Sequence, residues 1–136
     1  MDCLFCKIGQ KFIPAEIIYE QEHAVAFLDI HPLAVGHTVV IPKLHAETIL
    51  DLPDVSINPV FQAVKRTTAL LYEKLHPDGF TIGINHGRAS GQAVEHLHIH
   101  IIPRFRNDGG GSIHTIVNHP SDEPVQQTAL RLRGDA

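Results

Sequence analysis

The sequence has little of what marks secreted, membrane-embedded and DNA-binding proteins. Its only cysteines are Cys3 and Cys6, too few for a disulfide framework. No apolar run approaches the ~18 to 20 residues that a membrane-spanning helix needs. The 11 lysines and arginines are outnumbered by 15 aspartates and glutamates, and they form no basic stretch that could follow a phosphate backbone. We therefore expect neither a membrane partner nor a nucleic-acid partner.

The N-terminus lacks the basic and apolar segments of a secretion signal, because it begins acidic and soon meets Lys7 and Gln10. We expect the chain to stay in the cytoplasm. In that reducing compartment the spacing Cys3-x-x-Cys6 favours a redox pair or a metal site, although the pair could also be an incidental apolar contact.

What the sequence does contain is enough apolar material for one folded domain. It has 136 residues, of which 43% are hydrophobic and 19% charged, and a chain of this size buries roughly 68–70% of its surface on folding. Histidine is enriched, with 11 copies. Because histidine titrates near neutrality and binds metals, this enrichment is the first indication of chemistry.

Five short segments rich in β-branched residues predict strands, since each is bounded by proline, glycine or aspartate. They are residues 16–20, 24–28, 37–41, 80–85 and 96–102. Most connections between them are too short for a crossover helix, which indicates antiparallel pairing. Asn58 and Pro59 resemble a helix start, and apolar residues then recur at helical spacing until Pro77.

These elements predict an α+β fold, a largely antiparallel five-stranded sheet with one long helix packed on it. Composition shifts only at the glycine-rich residues 107–111. We therefore expect one domain over residues 1–105 and a partly ordered tail over residues 106–136.

Histidine and apolar residues alternate without a break from His96 to Ile101. Side chains on a strand point to opposite faces with period two, so His96, His98 and His100 should share one face. A solvated strand face is the simpler reading of one such histidine. Three in register instead favour proton relays, phosphate contacts, a nucleophile or metal ligands.

The residues around this strand resemble the histidine triad (HIT) superfamily, in particular the Hint-like nucleotide hydrolases of bacteria and archaea. Residues 96–102 fit the family pattern His-φ-His-φ-His-φ-φ, where φ is apolar, and residues 85–92 fit its Asn-x-Gly-x-x-x-Gly-Gln approach. Ile41-Pro42-Lys43-x-His45 and Phe27-Leu28-Asp29-Ile30 are similar to two further family elements. The matches run from Cys3 to Arg104, and they leave the tail uncovered.

The resemblance implies a role for each matched residue. His98 would attack the α-phosphorus of a nucleotide, with His96 and His100 completing the catalytic triad. His100, Gln92 and the backbone at Gly91 would contact the phosphate. The ribose would meet Asp29, and Asn85 would lie near ribose and phosphate. Apolar residues would enclose the purine, namely Leu4, Phe5, Ile8 and Ile13, although core packing explains these four equally well.

One position departs from the family pattern. Many members carry serine or threonine directly after Gly-Gln, where its hydroxyl helps the leaving group, and this sequence has Ala93. The departure affects protonation of the leaving group but leaves the nucleophile untouched.

The resemblance also implies a structural zinc ion. In zinc-bearing relatives a similar Cys-x-x-Cys joins the histidine of the Pro-Lys-x-His element and the first triad histidine. The corresponding ligands here are Cys3, Cys6, His45 and His96, a set suited to Zn²⁺. The remaining histidines are interpreted as surface or capping residues, namely His23, His31, His37, His76, His86, His114 and His119.

The function implied is cleavage at the α-phosphate of a purine nucleotide derivative, either a nucleoside phosphoramidate or a dinucleoside polyphosphate, through a nucleotidyl-histidine intermediate. Two alternatives carry the same residues: a phosphorylase that uses inorganic phosphate instead of water, and an idle nucleotide-binding regulatory module. Family members are usually homodimers. Residues 58–76 could form such an interface, or their apolar stripe could simply cover the sheet.

Overall fold

A computed structural model describes residues 2–134 of the chain. Three helices, α1 to α3, and five strands, β1 to β5, account for most of its regular structure. The helices are Leu4–Gly9, Asp54–Leu75 and Val125–Arg133. The strands are Ile17–Glu20, Ala24–Leu28, Thr38–Pro42, Gly79–Gly83 and Ile99–Arg104. Within residues 2–134 every helix is too short or too polar to cross a lipid bilayer.

The strands form one sheet in the order β1-β2-β3-β5-β4, and all neighbours run antiparallel. The register between β2 and β3 runs from Ala24 opposite Pro42 to Leu28 opposite Thr38. Strand β5 inserts between β3 and β4, which leaves β4 at an edge. The predicted α+β fold with a largely antiparallel five-stranded sheet is confirmed.

Helix α2 begins earlier than the sequence indicated, so the predicted start at Asn58 and Pro59 is wrong. Its first residue is Asp54, and Pro59 lies inside it. Proline here removes the hydrogen bond to the carbonyl of Val55. Val55 is 85% exposed, so water can donate a hydrogen bond to that carbonyl. The negative charge of Asp54 in the first turn also favours this start.

The face of the sheet under α2 is covered by an apolar layer. Val60, Ala63 and Leu71 from α2 pack against residues of the strands that include Val40 and Ile99. All are at most 5% exposed, so α2 gains its stability from burying one apolar stripe.

The opposite face carries a second, smaller core that α1 covers. Phe5 and Ile8 of α1 pack against Val25, Phe27 and Val39. The sequence pattern does not indicate α1, because six residues are too few to show a helical period. This core supports the side chains of the histidine segment.

The histidine segment is only partly a strand, because β5 starts at Ile99 rather than at His96. The lead-in is held by the amide of Leu97, which donates a 2.6 Å hydrogen bond to the carbonyl of Ala46. Its side chains still alternate, since Leu97 and Ile99 belong to the core under α2. Strand β4 also ends at Gly83, so Asn85 lies in the following loop.

The segment after β5 is clamped to the sheet by Arg104. Its guanidinium donates to both carboxylate oxygens of Asp108, at 2.8 and 3.0 Å, to Thr81 Oγ1 at 3.0 Å and to the carbonyl of Gly111 at 2.6 Å. A short 3₁₀ turn over Ile113–Thr115 follows, and then α3. The division at residue 105 stays a prediction.

Candidate active site

The three histidines of the segment lie on the face of the sheet opposite α2, as the alternation predicted. Residue His100 is paired with Val39 of β3, which belongs to the core beneath α1. The ring centroids of His98 and His100 are 5.1 Å apart, and Phe5 meets the His98 ring edge-on at 5.0 Å. Helix α1 therefore covers the site from one side.

His98 is held in one tautomer by the backbone. Its Nδ1 lies 2.7 Å from the carbonyl oxygen of His96, and a carbonyl can only accept, so Nδ1 carries the proton. The lone pair is then on Nε2. The side chain is only 6% exposed, so packing against Phe5 limits the orientations of the ring.

His100 is held in its tautomer by a fourth histidine, His37. The amide of Leu33 donates to His37 Nδ1 at 3.1 Å, which leaves the proton on His37 Nε2. That nitrogen lies 3.0 Å from His100 Nδ1. His37 therefore donates to His100, and the proton of His100 is on Nε2. Burial lowers the pKa of both His37 and His100 below the usual value, so both rings favour the neutral form.

The interpretation of His37 as a surface or capping residue is wrong, because the residue is buried and 3% exposed. The sequence does contain an indication of this position, because side chains alternate along a strand and His37 therefore shares a face with Val39 and Ile41. This shared face identifies His37 as a site residue only once Val39 is known to pair with His100.

Asp29 lies beside these two rings at the end of β2. Its Oδ1 accepts a 2.8 Å hydrogen bond from the amide of His31, and its Oδ2 is 3.6 Å from His37 Nε2. Asp29, His37 and His100 place one ligand atom each within 4.8 Å of the others, which would suit a metal ion. The hydrogen bond between His37 and His100 already occupies two of those atoms, so the cluster is a hydrogen-bond chain.

The loop between β4 and β5 brings Asn85, Gly91 and Gln92 together. A side chain on Gly91 would come 3.7 Å from Asn85 Nδ2, and its φ of +105° favours glycine. The amide of Gln92 is fully bonded inside the loop: Oε1 accepts from Gly87, while Nε2 donates to the carbonyls of Glu47 and Val94. Its role as a phosphate donor stays a prediction, and contact with phosphate would require one of these bonds to open.

The backbone amides of Gly91 and Gln92 are also used within the turn, since they donate to the carbonyls of Arg88 and Gly87. Among the described residues, the next amide along the chain, that of Ala93, has no protein acceptor. Other amides of the loop, those of His86 and Val94 among them, also have no acceptor among the described residues, so Ala93 is one of several backbone donors available to a ligand.

The four apolar residues assigned to the purine differ in exposure. Phe5 and Ile8 are core residues, 8% and 7% exposed, and the ring of Phe5 contacts Phe27 edge-on at 5.5 Å. Ile13 packs at the margin of the same core, and Leu4 is 44% exposed. The structure thus places all four around α1, with Leu4 the most accessible to a ligand.

Cys3, Cys6, His45 and His96 form a compact cluster at the start of α1. Their ligand atoms all lie within 4.8 Å of one another. The Nδ1 of His96 is 3.3 Å from the sulfur of Cys3 and 3.4 Å from that of Cys6, and Cys6 is 3.3 Å from His45 Nδ1. A tetrahedral zinc with these ligands has edges of about 3.5 Å, so the donor set fits the ion.

Two further observations fit this assignment. His96 Nε2 lies 2.8 Å from the carbonyl of Pro42, so it carries the proton and leaves the Nδ1 lone pair facing the cysteines. Burial raises the pKa of the Cys6 thiol to about 11, and its hydrogen bond with Cys3 adds to the shift. A bound divalent cation would counter this shift by stabilising the thiolate.

Comparisons with known proteins point to one family. The HIT domain family model matches residues 10–107. An uncharacterised HIT-like protein of Methanocaldococcus jannaschii is 49% identical over 107 residues, covering 79% of this chain and 82% of its own. The adenosine 5′-monophosphoramidase of Schizosaccharomyces pombe is 38% identical over 110 residues, covering 81% and 80%.

Solved structures place the chain in the same group. A HIT family protein from Bacillus subtilis has a TM-score of 0.88 and 35% identity, with 100% of this chain and 98% of that one covered. A zinc-bound histidine triad family protein from Mycobacterium smegmatis has a TM-score of 0.74 and 34% identity, covering 99% and 93%. The resemblance found in the motifs is confirmed, and the chain belongs to the histidine triad (HIT) family.

Proposed function

We propose that the protein cleaves purine nucleotide derivatives at the α-phosphate, through a nucleotidyl intermediate on His98. The observation that carries the proposal is the bond from His98 Nδ1 to the carbonyl of His96, because it leaves the Nε2 lone pair available as a nucleophile. Relatives in this family include an adenosine 5′-monophosphoramidase, which supports nucleotide hydrolysis as the general activity.

The reaction proceeds in two displacements. In the first, His98 Nε2 bonds to the α-phosphorus, and the bond to the leaving group breaks with its electron pair on that group. In the second, water displaces the imidazole and releases the nucleoside monophosphate. One water is consumed overall, its proton going to the leaving group and its hydroxyl to phosphorus. Ala93 has no hydroxyl, so solvent supplies the proton to the leaving group.

The charge that develops on the phosphate oxygens is stabilised by His100 Nε2–H and the free amide of Ala93. His37 acts through His100 as a positioning residue, because its own Nε2–H fixes the His100 tautomer. Preorganised donors of this kind lower a barrier because they need no reorientation during the reaction.

Asp29 and the residues around α1 hold the nucleoside in this proposal. Asp29 Oδ2 is free of backbone donors and can accept from the ribose hydroxyls, while Oδ1 keeps the turn at His31 in place. Leu4 and Ile13 offer apolar surface to the purine, with Phe5 and Ile8 packed behind them. Asn85 and Gln92 border the phosphate.

We also assign Cys3, Cys6, His45 and His96 as the ligands of a structural Zn²⁺. The ion would supply a crosslink between α1 and the lead-in to β5, two segments about 90 residues apart. The zinc-bound relative from Mycobacterium smegmatis supports the assignment.

Capture of the intermediate tests the mechanism. The protein is mixed with an equimolar adenosine phosphoramidate, quenched within one turnover, and digested for mass spectrometry. We expect an adenylyl group on the peptide that contains His98, and none in His98→Ala. His119→Ala serves as the control, since His119 is exposed.

The same experiment separates the competing functions. A His98→Ala protein that keeps more than about a tenth of wild-type turnover, a loss of only ~1.4 kcal/mol, would contradict the covalent mechanism. Nucleotide binding without any adduct on His98 would indicate an idle regulatory module. Product formation that depends on inorganic phosphate would indicate a phosphorylase.

We further propose a homodimer that uses α2 and the edge strand β4. Within residues 2–134 strand β4 has one unpaired edge, and Tyr72 on α2 is 62% exposed. Light scattering should give twice the chain mass, and a purely monomeric protein would contradict this proposal.

A further inference from the structure

A cavity of about 450 Å³ opens over the cluster of Cys3, Cys6, His45 and His96. Cys3 and His45 line this cavity, whereas Cys6 and His96 do not. Exposure divides the two cysteines in the same way, since Cys3 is partly exposed and Cys6 is only 2% exposed. A small solute can therefore reach one sulfur of the pair, while the protein shields the other.

We propose that Cys3 and Cys6 are a redox pair that a peroxide oxidises to a disulfide, and that this disulfide removes two zinc ligands and slows the reaction at His98. The inference rests on the proposed function, since it assumes the nucleophile and the metal ligands named there. It adds a regulatory modification that the reaction itself does not require.

The two sulfurs are placed so that they can join. Cys3 is the N-cap of α1, and Cys6 lies in its first turn. Their Sγ atoms lie within 4.8 Å of one another, and the amide of Cys6 donates to Cys3 Sγ at 3.4 Å. Cysteines at this spacing form the reversible disulfide of thiol oxidoreductases.

The oxidation gives each sulfur a different role. Metal-binding cysteines are deprotonated, and the thiolate is the nucleophilic form. The Cys3 thiolate attacks one oxygen of hydrogen peroxide, the O–O bond breaks, and Cys3 becomes a sulfenic acid as hydroxide leaves. The Cys6 thiolate then attacks the Cys3 sulfur, the S–O bond breaks, and a second hydroxide leaves. The pair loses two electrons to the peroxide, and two protons from solvent turn the hydroxides into water.

The charge around the cavity favours an uncharged oxidant. The carboxylates of Asp2 and Glu47 line it, as does Glu95, which is paired with Arg88 at 3.1 Å. The described residues of the lining include no lysine or arginine. Such a surface repels oxidised glutathione, which carries net negative charge, but does not repel hydrogen peroxide, which is small and neutral. A peroxide is therefore the oxidant that the cavity admits most readily.

Two connections link the cysteine pair to His98. The Nδ1 of His96 is 3.3 and 3.4 Å from the two sulfurs, and the carbonyl of the same residue holds the proton of His98 on Nδ1. Phe5 lies between the cysteines in the chain, and its ring meets the His98 ring edge-on at 5.0 Å. The disulfide leaves only two histidines, too few for a structural zinc site. His96 and Phe5 then lose the crosslink that holds them against the nucleophile.

The test treats the zinc-bearing wild-type protein with hydrogen peroxide, stopped at intervals with catalase. Three quantities are followed: the intact mass after thiol alkylation, the zinc released to a chromophoric chelator, and kcat for adenosine phosphoramidate. We expect the disulfide and the release of zinc to appear together, with kcat at least about tenfold lower, because a small displacement of a reacting group is costly. Dithiothreitol with added zinc should restore all three.

Three results of this experiment would overturn the inference. Peroxide could form no disulfide between Cys3 and Cys6, the disulfide could form with zinc retained, or it could form with kcat unchanged. None of these measurements depends on the folding of a variant.

A matched pair of cysteine variants tests the two roles, since each variant removes one metal ligand. In Cys6→Ser, peroxide should leave a sulfenic acid on Cys3 that dimedone traps, because no second thiol displaces it. In Cys3→Ser, the shielded Cys6 should react at least about tenfold more slowly, because oxidation follows exposure. Equal rates at the two sulfurs would overturn the inference.

A second pair of variants tests the choice of oxidant. Glu47→Gln should raise the rate with oxidised glutathione relative to the rate with peroxide by at least about twofold, because it removes negative charge from the cavity. Glu22→Gln removes the same charge from an exposed position outside the cavity and should leave this ratio unchanged. The same ratio in both variants would overturn the part of the inference that names the oxidant.

The adenylyl adduct on His98 separates this inference from the proposed function. If the reduced wild-type protein forms no adduct, the proposed function fails, while the disulfide and the release of zinc are still measured without turnover. If the adduct forms at the same rate in reduced and oxidised protein, the regulatory inference fails and the proposed function stands.

Discussion

His37, His96 and His98 each have one ring nitrogen bonded to a backbone group, and that bond decides what the other nitrogen can do. The carbonyl of His96 holds the proton of His98 on Nδ1, and the carbonyl of Pro42 holds the proton of His96 on Nε2. In His37 the amide of Leu33 donates to Nδ1, so the proton is on Nε2. The result is a nucleophile, a metal ligand and a hydrogen-bond donor made from one residue type.

At the same scale, we expect Asp29 to determine recognition of the ribose. Wild-type protein should prefer a ribonucleoside phosphoramidate over its dideoxy analogue, since a hydrogen bond to a charged group contributes roughly 1.5 to 3 kcal/mol. Asp29→Ala should lose most of this discrimination and keep its preference among bases. Steady-state kcat/KM on both substrates measures it. Equal discrimination by both proteins would mean that Asp29 only caps the turn at His31.

The elements of the fold meet the site at their ends rather than along their lengths. Helix α1 and its N-cap bring Phe5, Cys6 and Cys3. Asp29 directly follows strand β2, and His37 directly precedes β3. The contacts between the ends of these elements therefore position the site, and two of these contacts can be tested.

The contact between α1 and the segment that leads into β5 should depend on zinc. We expect purified protein to carry about one Zn²⁺ per chain, measured by mass spectrometry of the metal. Chelation should lower the free energy of unfolding, because a metal site absent from the unfolded chain couples binding to folding. Cys6→Ser should show no further loss with chelator. Reduced protein prepared without chelator and free of metal would contradict the assignment.

The contact between the end of α2 and the turn before β3 should depend on Gly36. A Cβ on this residue would lie 2.5 Å from Leu75 Cδ1 and 3.2 Å from Pro103, at a φ of +86°. Gly36→Ala should lower the free energy of unfolding by about 2 to 4 kcal/mol, the sum of backbone strain and overpacking. Gly109→Ala is the control, since its φ is +76° but its Cβ would meet nothing within 4 Å. Equal losses, measured by urea denaturation, would show that packing contributes nothing.

For the molecule as a whole, one sheet separates two interiors of different character. The layer under α2 is apolar apart from buried hydroxyls such as that of Thr67, whereas the layer under α1 contains buried imidazoles among its apolar side chains. The layer under α1 makes the free energy of unfolding depend on pH, because protonating an imidazole that is buried there is unfavourable in the folded state.

We therefore expect stability to fall as the pH falls below about 6.5. The pKa of His37 and of His100 is lower in the folded state than in the unfolded one, so the unfolded chain takes up protons that the folded chain resists. Each ring contributes a slope of at most about 1.4 kcal/mol per pH unit between its folded pKa and 6.5. Stability above pH 7 is unaffected by these groups.

Urea denaturation at pH 7.5, 6.5 and 5.5 measures this slope. His37→Asn should flatten it, while His119→Asn, at an exposed position, should not. A wild-type protein equally stable at all three values, or a variant slope that matches wild type, would contradict this prediction.

The sequence by itself determined the sheet, its antiparallel pairing and the common face of His96, His98 and His100. Side-chain alternation and short connections are local properties, and they survive whatever the tertiary structure does. The family followed from motifs of the same local kind, together with the expected place of Asp29 and of the cysteine pair.

Only the tertiary structure decided the rest. The sequence placed the start of α2 at Pro59, but packing against the sheet sustains a helix from Asp54 and makes a proline within it tolerable. It also left His37 among the surface histidines, although 63 residues separate it from its partner His100. Strand register and loop closure bring such residues together, and neither is encoded in local spacing, so the hydrogen-bond chain from His37 to His100 emerges only in the folded chain.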